Sequence, residues 1–132
     1  MDGSRIVILV ADDDEFVRDM VAVIIRSDGY HVLIASDGVQ ALGASRLYHG
    51  DIHLLISDVV MPEMNGVELA TQLVEERPAI KVLLISGQPE TDIPPEFRFL
   101  PKPFTPAVLR QTIADLLVKS LLPALALHDC PP

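Results

Sequence analysis

Five short apolar runs, at 6–11, 31–35, 52–57, 81–86 and 98–100, recur along the chain, with helix-like stretches between most of them. Each run is too short for a core helix and too continuously apolar for a strand with one wet face. Such runs read as strands covered on both sides, the mark of a parallel sheet. Parallel strands require crossover connections, and the stretches between the runs supply them. The alternation predicts a doubly wound α/β sandwich, and in such folds function gathers at the carboxyl ends of the strands.

The crossovers carry helical signals of uneven strength. In the first, Phe16, Met20, Val23 and Ile24 are expected to face inward, with Asp14 as N-cap and Gly29 as stop. A second helix is expected over 37–48 with Val39, Ala41, Leu42 and Leu47 mostly inward. A third starts near Asn65-Gly66 and runs to Pro78 with Val67, Leu69, Ala70, Leu73 and Val74. The last begins after Thr105-Pro106, a cap followed by proline at the first helical position, and buries Val108, Leu109, Ile113, Leu116 and Leu117. One slot breaks the rhythm. Between the fourth and fifth strands the segment 87–97 holds three prolines, so helix four is expected to be shortened or missing.

With 132 residues the chain suits one domain, expected over 1–120. The remainder, 121–132, reads as an apolar, proline-broken tail that could pack on the body, pair two copies in a homodimer, or form a linker stub. A net charge of −9 without a basic run argues against direct nucleic-acid binding. The lone cysteine, Cys130, precludes an internal disulfide, and no run is long enough to span a bilayer or resembles a signal peptide. A cytoplasmic location is the expectation. His31, His49, His53 and His128 lack metal-ligand spacing and are expected to be structural or exposed.

At the strand ends the chemistry converges. Strand one runs into Asp12-Asp13-Asp14, strand three into Asp58, strand four into Ser86-Gly87 and strand five into Pro101-Lys102-Pro103. Acids stand where a dinucleotide-binding chain would carry its glycine-rich turn. Clustered carboxylates need a cation or a proton among them, and oxygen ligands with room for water and phosphate suit Mg²⁺. Asp13 and Asp58 are the expected direct ligands, with Asp12 acting through water. One carboxylate can then attack phosphorus, with Lys102 and the Ser86 hydroxyl stabilising the transferring oxygens. The pattern Asp12-x-Asp14 nominally matches haloacid-dehalogenase-like phosphatases, but the chain has no length for their cap.

The segments 8–15 (Ile-Leu-Val-Ala-Asp-Asp-Asp-Glu) and 58–66 (Asp-Val-Val-Met-Pro-Glu-Met-Asn-Gly), the Ser86-Gly87 pair and Lys102-Pro103-Phe104 together resemble the signatures of the CheY-like receiver domain of two-component response regulators. The resemblance covers residues 5–119. It implies a (βα)5 flavodoxin-like sandwich with strand order 2-1-3-4-5. It further implies that Asp58 takes a phosphoryl group from a sensor histidine kinase or histidine phosphotransfer protein and signals, as a non-enzymatic switch in a phosphorelay, to a downstream protein. By the same resemblance Asp12 and Asp13 bind Mg²⁺ with the Val60 carbonyl completing the set, Ser86 is the switch hydroxyl, Phe99 the switch aromatic, and the Lys102–Pro103 bond is cis. Phe99 lacks the hydroxyl of the commoner tyrosine, and by its position serves switch or core equally. The alternatives are a pseudo-receiver that binds a partner without phosphorylation and a receiver domain from a hybrid histidine kinase.

Overall fold

The computed structural model describes residues 5–87 and 93–128. Its elements follow one another as β1 (Val7–Ala11), α1 (Glu15–Ser27), β2 (His31–Ala35), α2 (Gly38–Leu47), β3 (Leu54–Asp58), α3 (Gly66–Glu76), β4 (Lys81–Ser86), β5 (Arg98–Pro101) and α4 (Pro106–His128). The five strands form one parallel sheet in the expected order β2-β1-β3-β4-β5.

Alternation along each strand divides the core into two layers. Leu9, Leu55 and Leu84 join Ala41, Leu42, Leu69 and Leu73 in a cluster beneath α2 and α3. Ile8, Ile56 and Ile85 join Val21, Ile25, Leu109 and Ile113 in a cluster beneath α1 and α4. The central strands are buried on both faces, which is why they carry no polar alternation.

Two helices turn differently from the sequence expectation. On α1 the buried residues are Val21, Ala22, Ile24 and Ile25, while Phe16 and Val23 are 81% and 62% exposed. Residues 20–25 are all apolar, so periodicity offered two stripes and could not rank them. On α2 the buried face is Gly38, Ala41, Leu42 and Ser45, and Val39 and Leu47 point outward. Small side chains there let α2 lie close to the body, so size rather than hydropathy marks the inner face. α3 follows its expected stripe, and its start carries a full capping box between Asn65 and Glu68.

Among the described residues no helix joins β4 to β5, which leaves four helices and the expected gap at helix four; residues 88–92 lie outside the described residues. α4 buries Leu109, Ile113, Leu116 and Leu117, whereas Val108 is half-exposed. Its backbone remains helical through Pro123 to His128, past the break and the boundary expected at 120. A proline inside a helix removes one ladder bond without always ending the helix. Residues 129–132, with Cys130, lie outside the described residues.

Candidate phosphoacceptor site

Parallel register brings the strand ends to one edge. Ala11 lies beside Ser57, Asp58 beside Ile85, and Ser86 beside Pro101. The chain continuing from each strand therefore delivers Asp12 and Asp13 from β1, Asp58 from β3, Ser86 from β4 and Lys102 from β5. The Lys102 N–H donates to the Ser86 carbonyl at 2.8 Å, extending the β4–β5 ladder into the site. The Lys102–Pro103 peptide is cis, as expected.

Carboxylate oxygens of Asp12, Asp13 and Asp58 lie within 4.8 Å of one another. Asp12 and Asp58 are buried and Asp13 is exposed. The Lys102 ammonium stands between the two buried acids, with Nζ 3.5 Å from Asp12 Oδ2 and 3.6 Å from Asp58 Oδ2. The Asp14 N–H donates to Asp12 Oδ1 at 2.9 Å, and the backbone N–H of Val60 favours the charged form of the Asp58 carboxylate. Side-chain pattern gives no sign of this effect of the Val60 N–H.

One lysine among three carboxylates leaves the site short of positive charge. Two unit charges at 4.8 Å repel by roughly 3.5 kcal/mol at an effective dielectric near 20. Burial, followed by the charge of Asp12, raises the Asp58 carboxyl above its ordinary range, and Lys102 offsets this only in part. Burial likewise raises Asp12. Among the described residues Asp12 Oδ2 is a buried oxygen without a hydrogen-bond partner, 3.5 Å from the Lys102 ammonium. A buried acceptor, two further carboxylates and unbalanced negative charge fit a hard divalent cation such as Mg²⁺.

Asp58 sits at the start of the β3–α3 loop, whose form is fixed at both ends. The Val59 N–H donates to the Ile85 carbonyl at 2.9 Å, and the Gly66 N–H returns to the Val59 carbonyl at 2.8 Å. Gly66 is obligatory, because a Cβ there would collide with the Asp58 carbonyl. Between them Glu63 adopts φ 69°, a left-handed conformation nothing in the sequence announced. Ser86 is buried at the end of β4. Phe99 is partly buried with Ile93 and Phe97 against the cluster under α2 and α3.

His31 and His53 stand apart from this site. His53 Nδ1 accepts from the Val7 N–H at 3.1 Å, and His31 stacks on Tyr48. Among the described residues neither belongs to a metal-binding group.

A family model for the response regulator receiver domain matches residues 8–114. The chain is 38% identical over 125 residues to the sensor kinase CckA of Brucella abortus, covering 90% of this chain and 13% of that one. It is 35% identical over 117 residues to the response regulator receiver protein CpdR of the same organism, covering 84% of this chain and 96% of CpdR. The crystal structure of the receiver domain from the hybrid histidine kinase CckA superposes with a TM-score of 0.75 at 35% identity, over 84% of this chain and 98% of that one. The chain thus spans a small part of one relative and nearly all of another. Four signatures on four strand ends, the gathered acids with their lysine and these likenesses agree: the chain belongs to the response regulator receiver domain family.

Proposed function

We propose that Asp58 accepts a phosphoryl group from a phosphohistidine on a sensor histidine kinase or a histidine phosphotransfer protein. The observation that carries this reading is the convergence of Asp12, Asp13, Asp58 and Lys102, with Asp58 at the centre and buried except towards the edge of the sheet. A carboxylate oxygen of Asp58 bonds to phosphorus as the P–N bond breaks, and the bonding pair leaves with the imidazole nitrogen, which takes a proton. Lys102 neutralises charge on the transferring oxygens, the Val60 N–H orients the acceptor, and Ser86 supplies a hydroxyl to the phosphoryl group. Asp12, Asp13, Asp58 and the Val60 carbonyl would hold Mg²⁺, which supplies charge neutralisation at the phosphoryl oxygens.

Once the aspartyl phosphate is present, Ser86 and Lys102 are drawn towards it and Phe99 repacks on the β4–β5 side, shifting the balance between two surface states read by a downstream protein. Phe99 has no hydroxyl to guide that motion, so packing alone drives it. The chain assists its own phosphorylation and dephosphorylation and catalyses nothing else. Its place is the cytoplasm, where the phosphodonor is. Likeness to both CckA and CpdR is compatible with the same chemistry in a hybrid kinase or a separate regulator.

Intact-mass measurement after incubation with acetyl phosphate tests the reading. A single phosphoryl adduct is expected, dependent on Mg²⁺ and absent in Asp58→Ala. No adduct under any condition would sink it in favour of a phosphorylation-independent binding module.

A further inference from the structure

Glycine is a poor helix former, yet α2 opens with Gly38 directly after its N-cap Asp37. Backbone conformation does not require it. Among the described glycines only Gly29 and Gly50 have a positive φ of the kind that excludes side chains. Space does require it. A Cβ on Gly38 would stand 2.7 Å from the Met64 carbonyl oxygen and 3.0 and 3.1 Å from Met64 Cβ and Cγ. The closest of these is a backbone atom, which cannot swing aside as a side-chain tip can. Gly43, on the same helix, has open space where its Cβ would be.

Met64 belongs to the loop that leaves Asp58. That loop is pinned at one end by the Val59 N–H on the Ile85 carbonyl, and at the other by the Gly66 N–H on the Val59 carbonyl. The Met64 N–H is itself tied to the Pro62 carbonyl at 2.7 Å. A displacement of Met64 is therefore taken up between the pins, in the stretch that begins with Val60, two residues on from Asp58, whose carbonyl packs against Gly66 at the far pin. The Met64 carbonyl also rests against the amino-terminal turn of α2, where a negative dipole end is favoured.

We infer that Gly38 is a positioning residue for the acceptor. The bare first turn of α2 is the seat of the Met64 carbonyl, and occupation of that seat sets the path of the loop that orients Asp58. The consequence for phosphoryl transfer rests on the reading of Asp58 as acceptor; the seat itself does not.

The test compares Gly38→Ala with Gly43→Ala in the full chain, by amide NMR and by the rate of Mg²⁺-dependent phosphorylation from acetyl phosphate. In a folded Gly38→Ala variant the amide resonances of 59–66 shift and the rate falls by roughly tenfold or more, as expected for a misplaced reacting group. Gly43→Ala leaves both at wild-type values. Adding Met64→Gly to Gly38→Ala removes the crowded Met64 Cβ and Cγ and gives residue 64 the backbone freedom to turn its carbonyl off the new methyl, which recovers most of the lost rate, or recovers folding should the single variant fail to fold. Unmoved 59–66 resonances in folded Gly38→Ala, an unchanged rate, or no rescue in the double variant would overturn the inference. If wild-type protein takes no phosphoryl group, the acceptor reading fails, and the resonance shifts alone decide whether the seat exists.

Discussion

Asp58 and Asp12 hold their protons more tightly in the folded chain than an ordinary carboxyl does, first because they are buried and then because acids face each other across the site. A raised carboxyl pKa makes the folded state the better proton binder. Stability from these groups therefore rises as pH falls from neutrality through the raised values towards the ordinary carboxylate range, and is lost as pH rises. Asp58→Asn removes one charge while keeping an oxygen for the Val60 N–H. Without divalent ions, that variant is expected to exceed wild type in stability at neutral pH by on the order of 1–3 kcal/mol. Thermal melts across a pH series should show the gap closing on acidification, and a constant gap would contradict the charge argument. Asp12, Asp13, Asp58, Ser86 and Lys102 were legible in the sequence because each directly follows or ends an apolar strand, and a parallel sheet sends all such residues to one edge. The Val60 N–H and the left-handed Glu63 were not, because backbone geometry inside a loop leaves no pattern in side-chain type.

The elements were legible where side-chain pattern is decisive and obscure where it is degenerate. Unbroken apolar strands could only be interior, whereas α1 offered two stripes and α2 hid its inner face among Gly38, Ala41 and Ser45. Arg77 shows how such an inner face is held. Its guanidinium donates to the Ser45 hydroxyl and carbonyl, the Tyr48 carbonyl and the Gly50 carbonyl, at 2.6 to 3.0 Å. These include acceptors at the end of α2, which a helix terminus otherwise leaves without donors. The clamp lies at the amino edge of the sheet, opposite the acids. Arg77→Ala should lower stability by about 2–3 kcal/mol through the acceptors left unmatched. In urea the midpoint should fall with an unchanged slope, while acetyl phosphate still modifies Asp58 at the wild-type rate.

For the whole molecule, the cost of gathering three carboxylates is recoverable by linkage. A cation that binds only the folded chain stabilises it by about 2.7 kcal/mol at a hundred times its dissociation constant. Mg²⁺ is thus expected to raise the melting temperature of wild type in a saturable manner, and to do so weakly or not at all in Asp13→Asn. Equal gains in both would place the ion elsewhere. The overall negative charge, −9, adds a general repulsion that any such cation also relieves.

The sheet does not hold its two outer margins equally. β5 has four residues, only one of them buried, and among the described residues no helix covers its approach from β4. Lys102, among the described residues the one cation between Asp12 and Asp58, directly follows this strand. Local opening is easiest where a segment has few buried contacts, so the β5 amides are expected to exchange with solvent sooner than those of β1 and β3. A lysine carried beside so short a margin is expected to leave the acids whenever that margin opens, and amide exchange at β5 is the measurement that times it.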